Sequence, residues 1–307
     1  MDPALLHPQL RRRLTLAPAL DVTNPLLRWA GYHLARFLPP ARMPRGMRRG
    51  QIRVGEHAVV RVFTPAGGGN GGALLWIHGG GLVVGAAVQD DARCIAVAEA
   101  LDIVVASVDY RLAPQDPYPA AIDDCHTAWG WLVHRAAQRG IDTARLAIGG
   151  QSAGGGLSAA LVQRVHDEGG PQPAAQWLFC PMLDDRTAAD HGHDAVHHFV
   201  WTNDSNRVGW SSYLGQQPGA ATTPPYAVPA RRTDLSGLPD AWIGTGDIEL
   251  FRDEDRAYAE ALSRAGVDCT LDEVVGAPHA FETCAPRAPM TRDYMHRATE
   301  WLRARVG

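Results

Sequence analysis

The stretch "GGQSAGGG", residues 149–156, contains one serine and five glycines. Two glycines precede Ser152 and three follow it, with one residue in between on each side. The run before it, "RLAIGG" (145–150), is typical of a buried strand, and "GLSAALVQRVHDE" (156–168) has the apolar spacing of a helix. Ser152 therefore lies where a strand turns directly into a helix.

The five residues Gly150 to Gly154, with Gln151 and Ala153 flanking the serine, form the pattern G-x-S-x-G. This pattern predicts a turn so sharp that the serine takes a strained backbone conformation. Side chains at the two outer positions would collide with the neighbouring strand and helix, which is why glycine is needed there. The turn exposes the Ser152 hydroxyl at a helix N-terminus, whose partial positive charge favours developing negative charge. The pattern is short, so its interpretation depends on the rest of the chain.

From residue 73 onward, short apolar runs alternate with helical patterns. The runs that read as buried strands are 73–78, 103–110, 145–150, 175–180, 241–246 and 269–275. This alternation predicts an α/β fold with a mostly parallel sheet covered by helices on both faces. A strand pair around Gly55, within 51–65, precedes it.

Two segments do not follow this rhythm. "PLLRWAGYHLARFL" (25–38) has helical spacing and is followed by Pro39 and Pro40, while the region after residue 183 is rich in His, Pro, Gly and Trp. The predicted organisation is an N-terminal helical cap segment (1–50), a first core part (51–183), a cap insertion (184–225) and a second core part (226–307).

Three further motifs indicate chemistry at Ser152. "HGGG", His78 to Gly81, follows the run 73–78, and a glycine series lets backbone N–H groups turn toward one point. The N–H groups of Gly80, Gly81 and Ala153 are thus predicted to form an oxyanion hole, with His78 and Gly79 as supporting residues.

"GAPHAFE" (276–282) supplies His279 after the last predicted strand, where it can serve as general base to Ser152. "GTGDIELFRDED" (244–255) offers several carboxylates between the serine and the histidine. Serine, then an acid, then histidine is the chain order of the α/β-hydrolases.

Together the motifs resemble the hormone-sensitive-lipase-like branch of the α/β-hydrolases, from about residue 73 to the C-terminus. The resemblance is carried by "HGGG", "VDYRLAPQDPYPAAIDD" (108–124), "GGQSAGG", "PYAVPARRTDLSGLP" (225–239), "ELFRDED" and "PHAF". It implies a carboxylic-ester hydrolase with an eight-stranded sheet and a helical cap built from the N-terminal segment and an insertion. This sequence departs from the branch at Gln151, where an acidic residue is usual.

It departs again at the triad acid, because the usual D-P-L is absent. Aligned without gaps, the family's D-P-L-R-D-E matches "ELFRDE" and puts Glu249 at the position of the acid. Asp247, the first carboxylate after the strand, is the alternative. We expect Glu249, since the role needs only a carboxylate that accepts the second imidazole N–H.

The sequence therefore predicts a serine carboxylesterase for short- to medium-chain esters, acting through an acyl-enzyme without a cofactor or metal. A non-catalytic small-molecule receptor on the same fold is one alternative, against which His279 argues. An amidase or acyltransferase with the same triad is another. The stretch "HGHDAVHH" (191–198) has metal-ligating residue types at short spacing, but a zinc site there is disfavoured because it lies in the predicted cap. Three aromatic residues of the same region either line an acyl pocket or form the core of the cap: Trp201, Trp210 and Tyr213.

Composition excludes several other classes. The net charge of −4 gives no basic footprint for nucleic acid, and all 29 basic residues are arginine, which rules out a P-loop or Schiff-base lysine. Five widely spaced cysteines fit a reducing cytoplasm.

No apolar run approaches the length of a membrane span, about 20 residues. No signal peptide is expected, and a twin-arginine signal is the alternative. The expected partner is a small ester, with a homodimer left open.

Overall fold

The computed structural model describes residues 1–15 and 21–307. Its centre is an eight-stranded sheet in the order β1-β2-β4-β3-β5-β6-β7-β8. The strands are β1 Arg48–Val54, β2 Ala58–Thr64, β3 Ala73–Ile77, β4 Val104–Asp109, β5 Leu146–Gln151, β6 Ala175–Phe179, β7 Asp240–Gly246 and β8 Cys269–Val274. Strand β2 runs antiparallel to β1 and β4, and the remaining pairs are parallel. The predicted mostly parallel sheet of about eight strands is confirmed.

Helices cover both faces of this sheet. In the described residues they are α1 Pro8–Leu14, α2 Pro25–Leu34, α3 Asp91–Leu101, α4 Ala120–Arg135, α5 Ala153–Glu168, α6 Asp185–Ala189, α7 Asn203–Leu214, α8 Arg252–Arg264, α9 Phe281–Cys284 and α10 Pro289–Val306. Successive side chains of β3 enter opposite cores: Leu75 and Ile77 face the side of α4, α5 and α8, whereas Leu74 and Trp76 face the side of α3 and α10. This double burial explains why the strand is apolar throughout.

The N-terminal segment differs from the prediction in two details. Strand β1 begins at Arg48, inside the segment predicted to be helical, because its ladder with β2 continues to the pair Arg48 and Thr64. Helix α2 ends at Leu34 and gives way to a 3-10 turn up to Phe37, before the two prolines. Residues 16–20, which belong to the predicted N-terminal helical cap segment, lie outside the described residues.

Between β6 and β7 the chain leaves the sheet and forms α6 and α7. The division into cap and core parts remains a prediction. In the described part of the chain, no helix combines the length and the apolar character needed to cross a membrane.

Candidate active site

Ser152 lies between β5 and α5 with φ 57° and ψ −123°, a left-handed conformation that is strained for a residue other than glycine. A Cβ atom at Gly150 would lie 2.3 Å from the carbonyl oxygen of Gly154, and one at Gly154 would lie 2.1 Å from that of Ile77. Neither position has room for a methyl group. The two glycines thus allow the sharp turn that presents the hydroxyl at the carboxyl edge of the sheet.

Three polar side chains from different loops meet at this edge. The Ser152 Oγ lies 2.9 Å from His279 Nε2, and His279 Nδ1 lies 2.5 Å from Glu249 Oε2. All three residues are buried, with Ser152 7% exposed and His279 3% exposed. Because water is largely excluded, these hydrogen bonds act in a medium of low dielectric constant. The arrangement can pass a proton from the hydroxyl to the imidazole.

Neighbouring groups fix this chain of hydrogen bonds. The Phe251 ring meets the His279 ring edge-on, with centroids 5.1 Å apart. The hydroxyl of Thr245, at the end of β7, donates a hydrogen bond to Glu249 Oε1. These contacts limit the rotation of the His279 ring and of the Glu249 carboxylate bonded to it.

Asp247, the alternative acid, has a different partner. Its Oδ1 accepts a hydrogen bond of 2.6 Å from the backbone N–H of Gly276, and Arg252 donates to its carbonyl oxygen at 3.1 Å. Asp247 therefore joins the turn after β7 to the turn after β8, while Glu249 contacts the imidazole.

The loop after β3 lies beside Ser152. Gly80 has φ 133°, and a Cβ atom there would lie 1.9 Å from the Val84 carbonyl oxygen, so only glycine fits. Within the described residues, the N–H groups of Gly80, Gly81 and Ala153 have no hydrogen-bond acceptor. Three unpaired donors near one hydroxyl are able to bind an anionic oxygen.

The residues at either end of this loop hold it against the core. His78 is buried and its ring stacks on Tyr110, with centroids 4.3 Å apart, while the Tyr110 hydroxyl donates to the His78 carbonyl oxygen at 2.8 Å. The Gln89 amide donates to the Gly79 carbonyl oxygen at 3.1 Å. The loop is therefore fixed before any ligand arrives.

A largely apolar cavity of about 250 Å³ opens at Ser152 and His279. Trp201 forms one wall and covers Gly81, where a Cβ atom would lie 2.2 Å from the indole. Gly31 and Ala35 of the N-terminal segment form another. The sequence did not indicate these two residues, because an exposed helix without polar motifs carries no signal for a cavity wall.

The sequence left open whether three aromatic residues of the inserted region line the cavity or belong to the core, and the structure gives them different positions. Trp201 lines the cavity, whereas Trp210 and Tyr213 lie in the hydrophobic core and outside the cavity lining. Both are on α7, which packs against the loop after β3.

Two further ionisable groups are buried beside Glu249. Burial, followed by the charges of Glu249 and Glu254, raises the pKa of Asp255 well above its usual value. Burial likewise raises the pKa of the Cys180 thiol. In the described part of the chain, Cys180, Glu249 and His279 are the one group whose ligand atoms approach closely enough for a metal ion, within 4.8 Å. A protonated thiol is a poor metal ligand.

Gln151 belongs to a buried network that its sequence position does not reveal. Its amide donates to Glu282 Oε1 at 2.5 Å and to the Thr283 hydroxyl at 2.8 Å. Arg93 of α3 contacts the same Glu282 oxygen at 3.2 Å. Glu282 thus supplies a carboxylate beside the position where the related family has an acidic residue.

Residues of two other stretches quoted above, 108–124 and 191–198, have partners away from Ser152. Arg111 pairs with Asp124 at 2.8 Å, and Asp109 accepts a hydrogen bond from the Ala87 N–H at 2.8 Å. In the histidine-rich segment, His191 Nδ1 lies 2.6 Å from Asp194 Oδ2.

Comparisons with known proteins give one consistent result. The model of a family described as having the alpha/beta hydrolase fold matches residues 74–283. Carboxylic ester hydrolase LipN of Mycobacterium tuberculosis is 36% identical over 228 residues, which cover 72% of this chain and 60% of LipN. Carboxylesterase NlhH of the same organism is 34% identical over 266 residues, covering 82% of this chain and 80% of NlhH. Among solved structures, a bacterial heroin esterase matches with a TM-score of 0.91 at 33% identity and 99% coverage of both chains.

Proposed function

The chain belongs to the α/β-hydrolase family and is a carboxylic-ester hydrolase, and from that premise we propose that Ser152, His279 and Glu249 are its catalytic triad. The observation that carries the proposal is the unbroken hydrogen-bonded series from the Ser152 Oγ through His279 to Glu249, with distances of 2.9 and 2.5 Å. The Ser152 backbone conformation also supports it. A positive φ is energetically costly for a serine, and backbone strain of this kind is concentrated at functional sites.

In this mechanism, His279 Nε2 takes the proton of the Ser152 hydroxyl while Oγ attacks the ester carbonyl carbon. The imidazolium that forms is stabilised by Glu249, which accepts the Nδ1 proton in a hydrogen bond and stays ionised. His279 then gives its proton to the departing alkoxide, and the alcohol leaves. Water, deprotonated by His279, cleaves the acyl-enzyme in the same two steps.

The proposed oxyanion hole consists of the N–H groups of Gly80, Gly81 and Ala153. Their lack of an intramolecular acceptor among the described residues supports this role, as does the rigid seating of the loop against Tyr110. Preorganised donors of this kind cost no reorganisation when the tetrahedral oxyanion forms.

We further propose short- to medium-chain esters, roughly C4 to C8, as substrates. The cavity volume of about 250 Å³ supports this choice, since it is small compared with the pockets of about 300–1,000 Å³ that hold drug-sized ligands. A palmitoyl chain would have to extend out of the cavity past Trp201 and Ala35.

Labelling and kinetics test the proposal together. Ser152→Ala should fold normally and lose about 10⁶-fold in kcat, as triad variants do. An organophosphate should label Ser152 alone in the wild-type protein, and labelling of another serine would overturn the assignment. Matched p-nitrophenyl esters and anilides separate an esterase from an amidase.

The acyl preference has its own test. The value of kcat/KM should be higher for C4 than for C16 p-nitrophenyl esters, and the reverse order would contradict the size argument. EDTA should leave the rate unchanged, because no step requires a metal.

A further inference from the structure

The exposed hydrophobic side chains are concentrated on the N-terminal segment. Ten large hydrophobic residues are exposed in the described chain, and six of them fall within residues 26–38. These six are Leu26 70%, Leu27 53%, Trp29 55%, Leu34 54%, Phe37 77% and Leu38 46% exposed. We call them the apolar rim. Concentrations of this kind on a folded protein mark an interaction surface.

The apolar rim borders the mouth of the cavity. Gly31 and Ala35 line the cavity together with Ser152. Leu27 and Leu34 are four and three residues from Gly31, so they lie beside it on the same face of the helix. A surface that binds the apolar rim would therefore lie next to the entrance of the cavity that holds Ser152.

The charge of this segment is opposite to that of the rest of the chain. Residues 1–53 contain ten arginines and two acidic residues, a net +8, and the remaining 19 basic and 31 acidic residues give −12, which together make the −4 of the whole. Of the ten arginines, Arg49 alone has a carboxylate partner in the part of the chain that the structure describes. Arg36 lies in the 3-10 turn after α2 and Arg42 follows the two prolines, and both are exposed. Unneutralised arginines beside exposed leucine, tryptophan and phenylalanine are typical of interfacial anionic-lipid binding.

We infer that the apolar rim and its arginines dock the protein on an anionic lipid surface, with the cavity mouth facing the lipid. A second copy of the chain fits this surface less well, because two such segments would bring like charges together. The delivery of amphiphilic esters from the surface to Ser152 rests on the proposed function, whereas the docking itself does not.

Vesicle flotation tests the docking. Wild-type protein should float with vesicles containing about 30% phosphatidylglycerol in phosphatidylcholine, and binding should fall with added salt and without phosphatidylglycerol. Phe37→Asp should weaken binding about tenfold, since a large apolar side chain no longer enters the lipid. Val275→Asp is the matched control, because Val275 is 73% exposed and follows β8, at the other end of the sheet from β2, whose Val59 lies beside Tyr32 and Arg36. It should bind like the wild type.

Three results would overturn the inference. These are no flotation of the wild type, equal losses for both aspartate variants, or a wild-type dimer that Phe37→Asp converts to a monomer in light scattering. Phe37→Asp should keep the wild-type kcat/KM on soluble p-nitrophenyl butyrate, which shows that it folds. Ser152→Ala should still float, so that failure of docking and failure of the proposed triad are distinguished.

Discussion

At the scale of single residues, the two carboxylates after β7 have separate tasks, and their substitution should separate them. Glu249→Gln should lower kcat by about 10²–10⁴, because the amide no longer stabilises the His279 imidazolium. Asp247→Asn should change kcat by less than about tenfold, because its side-chain oxygen can still accept the Gly276 N–H. Steady-state kinetics on folded variants with matched melting temperatures measure both. The opposite ranking would make Asp247 the third triad member.

Gln151 gives a second prediction at this scale. Gln151→Glu would place a second carboxylate against Glu282, and the buried like charges should cost about 1–3 kcal/mol in the free energy of unfolding. The double variant Gln151→Glu/Glu282→Gln restores one amide and one carboxylate, and should recover most of the loss. Urea denaturation at neutral pH measures both.

Equal stability of the single variant and the wild type would show that Arg93 alone can neutralise two carboxylates. A double variant no better than the single one would show that the geometry of this site depends on whether β5 or α9 carries the amide.

These residues also show what the sequence can predict about a site. Motif order was sufficient to propose that Ser152, His279 and a carboxylate of 244–255 meet, because each follows a parallel strand and such strand ends share one edge of the sheet. The choice of Glu249 over Asp247 rested on the gap-free alignment with the related family. The bond from Gln151 to Glu282 spans 131 positions, and although both residues lie in quoted motifs, neither motif specifies this contact. Its existence depends on the packing of α3 against the C-terminal region, which no local pattern encodes.

At the scale of elements, Trp201 connects the inserted region to the loop after β3. Trp201→Ala should enlarge the cavity and lower the ratio of kcat/KM for C4 to C8 esters by about threefold or more, since longer chains gain space that the indole now fills. Trp131→Ala is a control, because Trp131 of α4 packs against Arg139 of the following turn, outside the cavity lining. Its C4 to C8 ratio should equal that of the wild type.

An unchanged ratio for Trp201→Ala would show that the acyl chain leaves Ser152 in another direction, along the cavity wall formed by Gly31 and Ala35. The strands themselves were predicted closely, since continuous apolar runs such as 73–78 have few alternatives in an α/β chain. The helices of the inserted region were not, because short polar segments fold there only through contacts with the core.

At the scale of the whole molecule, stability depends on a carboxyl group buried near the sheet edge. Asp255 is fully buried, and its side chain lies beside Thr245 and Glu249. Burial raises its pKa well above the usual value, with the charges of Glu249 and Glu254 adding to the shift. The unfolded chain therefore loses this proton at a lower pH, near 3.9, than the folded protein does.

The sign of the pH dependence follows from the difference in bound protons. Above about pH 4 the unfolded state holds fewer protons at this site, so the contribution of Asp255 to the free energy of unfolding falls as pH rises toward the folded pKa. Asp255→Asn removes that dependence. The melting temperature of Asp255→Asn minus that of the wild type should therefore increase from about pH 5 to about pH 8, as measured by calorimetry.

Asp253→Asn is the control on the same helix, because the Arg252 guanidinium lowers the pKa of that exposed carboxyl. The melting temperature of this variant minus that of the wild type should stay constant over the same pH range. A constant difference for Asp255→Asn as well would mean that Asp255 is ionised in the folded protein beside Glu249, and that the sheet edge carries two negative charges where this structure favours one.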